Sequence, residues 1–305
     1  MSEFKKILCP TDFSDNADHA LAYARAFAEK SGGTVDAIHV VDVAHNQFAP
    51  IEGVYVSSAD VHRSLKMLED HAQKKMDHLV LKEHALGLEI TPHMRTGFAA
   101  EEVVAVAEKL DCDLIVAATH GRSALAHMLF GSTCDKILRL SHTPVLTVKP
   151  HEREFVSEDG KSIRLNKILC PIDFSEFSRT ALPKAEELAR QFGASIQLAH
   201  VVDARLDYPE WIAQAMVNNS GELAISAEKE LNAVAEGMQD IDTEVKVVVG
   251  ITHTALVNMV ADDHIDLVVL PSHGRKGVAH VLLGSTAEKL VRLAPSPVLV
   301  VRPKV

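Results

Sequence analysis

Apolar residues in this chain follow two alternating rhythms: short unbroken runs, and longer stretches in which they recur every three or four positions. Lys6 to Pro10 is a short run, and Asp12-Phe13-Ser14 after it offers helix-capping side chains ahead of a helical period from about Ala17 to Lys30. Ser31-Gly32-Gly33 ends that helix with a glycine stop. Val35 to Val41 is apolar nearly throughout, as in a strand covered on both faces. An irregular loop over residues 43–56 precedes a long amphipathic helix from about Ser58 to His84; strand Glu89 to Met94, helix Ala100 to Leu110 and strand Asp113 to Ala118 follow. A glycine-bearing loop, a helix from Ser132 to Leu140 and a strand from Val145 to Val148 complete the series. Strands alternating with helices across short connections predict an α/β fold, a doubly wound, Rossmann-like parallel sheet with right-handed crossovers.

The series then starts again. Asn166 to Ser175 restates Lys5 to Ser14, and the same elements recur as far as Val301. Residues 151–165 are charged and lack sheet periodicity, which reads as a linker between a domain over 1–150 and a second over 166–305. Each is expected to hold a five-stranded parallel sheet flanked by helices. The offset between copies shrinks from 161 residues (His39 to His200) to 153 (His120 to His273), so the second copy is shorter in between, where a loop and long helix tolerate it.

The copies agree best between the fourth strand and the next helix: His120 to Thr133 and His273 to Thr286 match at nine of fourteen positions without a gap. This loop joins the carboxyl end of a strand to a helix N-terminus, where open α/β sheets bind ligands. Gly131-Ser132-Thr133 and Gly284-Ser285-Thr286 suit an anion seat, with first-turn N–H groups and a hydroxyl facing phosphate oxygens. They suit a helix cap as well. Ser285 with Glu288 fits a capping box, and Ser132 with Asp135 nearly does. Asp12 and Asp173 likewise either meet a ligand or merely start a helix.

Composition narrows the functional classes. With 47% hydrophobic residues over 305 positions there is material for two cores, and a net charge of -11 argues against a nonspecific grip on nucleic acid. No window approaches the length of an apolar membrane span, and the first residues carry no secretory h-region, so a cytoplasmic protein is expected. Cys9, Cys112, Cys134 and Cys170 form no CxxC pair and read as reduced thiols; the histidines form no convincing metal set. His120 and His273 recur beside the loop without a sequence-local partner, which favours a loop hydrogen bond over acid–base work.

Taken together, these motifs resemble the universal stress proteins in their tandem two-domain form. The resemblance rests on Cys9 to Ser14, His39-Val40-Val41-Asp42, the glycine loop and Thr143-Pro144-Val145-Leu146, and on their second copies Cys170 to Ser175, His200 to Asp203, Gly274 to Thr286 and Ser296 to Leu299. It implies binding of ATP, or of AMP or ADP, with Mg²⁺. In the nucleotide-binding branch the loop reads G-x2-G-x9-G followed by Ser or Thr; Gly121 and Gly131 match its last two glycines, as do Gly274 and Gly284, whereas Ala118 and Pro271 replace the first. The implied contacts are Thr11, Asp12 and Val40 with the adenosine and Gly121, Arg122, Gly131, Ser132 and Thr133 with the phosphates. Their counterparts are Ile172, Asp173 and Val201, and Gly274, Arg275, Gly284, Ser285 and Thr286. Beside the loop, Arg122 and Arg275 could offset phosphate charge, although their position favours solvated loop cations.

The resemblance also implies pairing of the two domains through their final proline-opened strands, a homodimer, and a regulatory protein partner, with neither nucleic acid nor membrane. A regulatory module is expected, with at most slow ATP hydrolysis, since no Walker lysine or catalytic base is identifiable. The alternative is the branch that binds no nucleotide and works through dimerisation and protein contacts. An adenylyl-transfer enzyme of related fold would need HxGH or SGGxD, and neither is present.

Overall fold

The computed structural model describes residues 4–43, 58–121, 131–150, 152–157, 160–203, 210–273 and 283–302. The chain divides into two compact units, 1–143 and 144–305.

The first unit runs β1 (Lys6–Pro10), α1 (Asp15–Ser31), β2 (Thr34–Asp42), α2 (Ser58–Ala85), β3 (Ile90–Gly97), α3 (Ala99–Lys109), β4 (Leu114–Ala118) and α4 (Ser132–Leu140). Its strands are parallel in the order β3-β2-β1-β4. The chain therefore moves outward from β1 and then crosses to β4, which opens a crevice at the carboxyl ends of β1 and β4. Ile7, Leu8, Val35, Leu114, Ile115 and Val116 are fully buried, as unbroken apolar runs require when helices cover both faces. Ser14 caps α1 by accepting the Ala17 N–H, and Gly32 closes it at φ 65°, as the glycine stop led one to expect. The helix carries alanines at 17, 20, 22, 24, 26 and 28, all buried, which lets it approach the sheet closely. An ion pair lies inside this packing: Arg25 of α1 is held by Glu83 of α2.

The second unit contains β5 (Val145–Val148), β6 (Lys167–Pro171), α5 (Glu176–Arg179), α6 (Leu182–Phe192), β7 (Ser195–Asp203), α7 (Glu210–Ala235), β8 (Thr243–Gly250), α8 (Thr252–Asp262), β9 (Leu267–Pro271), α9 (Ser285–Leu293) and β10 (Val298–Val301). Its parallel strands run β10-β9-β6-β7-β8, and β5 adds to β10 antiparallel. Thus β5, the strand that closes the first sequence repeat, belongs to the second compact unit, where Thr147 donates its hydroxyl to Val298 O at 3.1 Å. The helix that is continuous as α1 is broken here into α5 and α6. Pro183 has no N–H for the Arg179 carbonyl, so the first turn ends there and a second helix starts with proline in its first turn.

The aperiodic segment between the repeats is anchored to the second unit. Arg153 N–H donates to Pro295 O at 2.7 Å, Val156 bridges Ile163, and Phe155 and Leu165 are buried. At its start, Lys149 donates its ammonium to Ala294 O and its backbone N–H to Glu152 Oε1 at 3.0 Å. Burial pushes the Glu152 carboxyl up to about 8 and depresses Lys149. The folded unit therefore keeps a proton on Glu152 that an unfolded carboxyl, near about 4.3, has released. Folded protein binds more protons in that window, so the contribution of this group falls as pH rises from about 4.3 to about 8. Lys149 acts in the opposite sense, and Glu152→Gln isolates the carboxyl. In denaturant titrations at pH 5 and pH 8, wild type is expected to lose more stability than Glu152→Gln over this interval; an equal loss would contradict the assignment.

Candidate functional site

At the carboxyl end of β1 the chain makes a tight, internally bonded turn. Thr11 N–H donates to Ile38 O at 2.8 Å, and its hydroxyl accepts the Phe13 N–H at 2.9 Å. Asp12 Oδ1 accepts the Ser14 N–H at 3.0 Å and the Ser14 hydroxyl at 2.5 Å. Asp12 thus shapes the helix start through Ser14, while its other oxygen faces a second loop. A Cβ placed on Gly121 would lie 2.6 Å from Asp12 Oδ2. The loops after β1 and β4, far apart in sequence, meet at this glycine.

The second meeting point is Gly131. Its N–H donates to Thr119 O at 2.6 Å, and an added Cβ would stand 2.8 Å from that same carbonyl, a backbone atom with no freedom to swing aside. Gly131 is the N-cap of α4 and makes no side-chain cap, which corrects the expected capping box. Ser132 stands one position inside the helix, so Asp135 bonds Gly131 O through its own N–H and pairs through its side chain with Arg139. The close approach to Thr119 demands glycine at the cap and displaces the serine. The first-turn N–H groups, which lack intrahelical acceptors by geometry, have no capping side chain over them. Ser132 is exposed and Thr133 half-buried beside them.

The second unit repeats the arrangement. Ile172 N–H donates to Ala199 O at 2.8 Å, Asp173 Oδ1 accepts the Ser175 N–H at 3.0 Å and its hydroxyl at 2.5 Å, and Gly284 N–H donates to Ser272 O at 2.7 Å. Gly284 caps α9 without a side chain, so the Ser285–Glu288 box is corrected in the same way; Ser285 is exposed and Thr286 half-buried. Two differences matter. Ile172 has no hydroxyl for the following N–H, and Pro271, buried at the end of β9 in register with Val301, offers no N–H where half-buried Ala118 ends β4. Arg122, Gly274 and Arg275 lie outside the described residues. Val40 is half-buried at the carboxyl end of β2, in register with Arg95, and Val201 is buried opposite Val248.

His120 and His273 bond their neighbours, Thr119 Oγ1 at 2.8 Å and Ser272 Oγ at 2.9 Å, the loop role their sequence context favoured. The structure adds two pairs that sequence reasoning did not place in the site. His39 Nδ1 lies 2.7 Å from Thr11 O with its ring 4.5 Å from Phe13, and His200 Nδ1 lies 2.7 Å from Ile172 O with its ring 4.5 Å from Phe174. The available signal was their common offset of 161 residues.

All four cysteines are buried free thiols, and burial raises each of them, Cys112, Cys134 and Cys170 to about 12. They are not nucleophiles at neutral pH. Among the described residues no helix is long and apolar enough to cross a membrane.

Comparison with known proteins agrees with the duplicated architecture. The universal stress protein family profile matches residues 3–149 and again 164–302. A universal stress protein of Methanocaldococcus jannaschii is 30% identical over 154 residues, spanning 48% of this chain and 95% of the relative. One from Synechocystis sp. is 28% identical over 319 residues, spanning 98% of this chain and 100% of the relative. The crystal structure of a universal stress protein from Archaeoglobus fulgidus, 20% identical, superposes with a TM-score of 0.66 over 98% of this chain and 99% of that one, a likeness of fold. With the profile matched twice and a relative aligned end to end, the chain belongs to the universal stress protein family in its tandem form.

Proposed function

We propose that this protein binds ATP, or the related nucleotides AMP and ADP, and acts in the cytoplasm as a regulatory binding module. The observation that carries this reading is the glycine at the α4 cap: a Cβ on Gly131 would stand 2.8 Å from Thr119 O, a backbone atom that cannot swing aside, while Gly121 packs beside the Asp12 carboxylate. Glycine is required at position 131 by close approach, and what it leaves open is a helix N-terminus without a capping side chain.

In this reading Asp12, fixed through Ser14, presents a carboxylate to ribose hydroxyls, and Thr11 and Val40 line the adenosine side. Gly131, Ser132 and Thr133 seat phosphate oxygens on the first turn of α4, with Arg122 as a nearby cation. Bound ATP with Mg²⁺ supplies a cleavable phosphoanhydride, and without a Walker lysine or an identified base this chain holds it rather than turning it over quickly. Ile172, Asp173, Val201, Gly274, Arg275, Gly284, Ser285 and Thr286 form the second copy. Ile172 and Pro271 subtract a hydroxyl and an N–H from it, which favours unequal sites with the first unit tighter.

Ligand binding to the folded state raises its melting temperature. Thermal unfolding of nucleotide-stripped protein with 5 mM MgATP (about 100 times an assumed Kd near 50 μM) is expected to stabilise the first unit by about 2.7 kcal/mol. Asp12→Ala should remove most of that gain. A wild-type transition that ATP, ADP and AMP all leave unmoved would place the protein in the branch that works through protein contacts alone.

A further inference from the structure

The loop that carries Asp12 is gripped on both sides of the aspartate by a single side chain. His39, on β2, faces Thr11 O at 2.7 Å through Nδ1; a carbonyl only accepts, so Nδ1 is the protonated nitrogen and donates. The same ring lies over Phe13, centroid to centroid 4.5 Å and tilted by 33°. Phe13 has φ 62°, a left-handed backbone that costs a residue with a Cβ about 1–2 kcal/mol and persists only where the surroundings enforce it. Thr11 and Phe13 flank Asp12, so one imidazole fixes the residue before the carboxylate by a hydrogen bond and the residue after it by ring contact.

The second unit builds the same device from different neighbours. His200 Nδ1 lies 2.7 Å from Ile172 O, its ring is 4.5 Å from Phe174 at 31°, and Phe174 has φ 63°. Thr11 has become Ile172 between the copies, yet the histidine, the phenylalanine and the strained backbone are all retained.

We propose that His39 and His200 are positioning residues that set Asp12 and Asp173 for contact with the bound ligand. This rests on the nucleotide-binding reading above. The histidine holds the turn through Nδ1–H, a donor present in both the neutral and the protonated ring.

The test is a double-mutant cycle read by calorimetric titration with MgATP, using His39→Leu, Asp12→Ala and the pair, with thermal unfolding of each unliganded protein alongside. His39→Leu, which has neither the donor nor the ring, is expected to weaken ATP binding about 10-fold, and His39→Asn, which keeps an N–H donor near the Nδ1 position, to recover to within about 3-fold of wild type. On the Asp12→Ala background His39→Leu should cost nothing further, because its effect runs through the aspartate. Should His39→Leu fail to fold, Phe13→Leu removes the stacking partner from the other side and carries the same expectation. Wild-type binding that His39→Leu leaves within about 3-fold, or losses that simply add on the Asp12→Ala background, would overturn the positioning role while leaving nucleotide binding intact. A wild-type protein that binds no ATP would overturn the reading beneath it instead.

Discussion

Replacing Gly131 with glutamate is expected to abolish nucleotide binding by the first unit, by about 100-fold or more, equivalent to about 2.7 kcal/mol. Two effects combine at this position. The steric one is set by the 2.8 Å separation between an added Cβ and Thr119 O, a backbone atom in the loop that follows a central strand. Side-chain rearrangement gives no relief, so the cap of α4 itself must move, and the first-turn N–H groups move with it. The electrostatic effect comes from a carboxylate placed at the helix N-terminus, where it competes for the donors a phosphate would use. Gly131→Ala carries the steric part alone and should cost about 10-fold, roughly 1.4 kcal/mol. Calorimetric titration gives the affinities, and the circular dichroism of each variant shows whether α4 and the sheet persist. Gly284→Glu should have the smaller effect on total binding, since Ile172 and Pro271 already subtract donors from that copy. Wild-type affinity in Gly131→Glu would mean that ligand does not sit on α4.

The largest stability effect is expected far from the glycine loops. Arg25 and Glu83 meet between α1 and α2 with only 7% and 1% of their side chains exposed, and Arg25 Nε donates to Glu83 Oε2 at 2.9 Å. Glu83→Ala takes away the carboxylate that Arg25 Nε bonds in that interior, and breaking a buried pair from one side costs about 3–5 kcal/mol. For a unit of this size that corresponds to a melting temperature lowered by roughly 10 °C or more. Replacing both partners by leucine removes both buried charges together and should recover most of the loss. Thermal unfolding of the two variants side by side separates these cases. A Glu83→Ala protein within about 0.5 kcal/mol of wild type would show that water reaches Arg25 readily.

Why the fold was so legible follows from what each kind of residue reveals. Unbroken runs such as Leu114 to Ala118 mean burial on both faces, and a run that recurs at a fixed offset fixes the order of elements twice over. The glycine stop at Gly32 was equally readable, because a left-handed C-cap leaves few alternatives to glycine. The capping boxes failed because a motif of residue types cannot show that Thr119 O approaches Gly131 closely enough to claim the cap for glycine. The segment over 152–165 hides its apolar anchors, Phe155 and Leu165, among charges, so periodicity has nothing to register. Arg25 and Glu83 carry the composition of a helix surface, and only their placement between α1 and α2 makes them interior. Likewise a left-handed phenylalanine at 13 or 174 has no signature in composition. Phe13 and His39 share one offset of 161 residues with Phe174 and His200, but an offset shared by a whole repeat does not single out which of its residues touch.

The most direct measurement is calorimetric titration of nucleotide-stripped wild-type protein with ATP in the presence of Mg²⁺. Saturable binding is expected, with a tight site that Gly131→Glu removes and a weaker one that Gly284→Glu removes. Absence of heat and of saturation with ATP, ADP and AMP up to millimolar concentrations would contradict nucleotide binding, and the two glycine cradles would then serve loop packing alone.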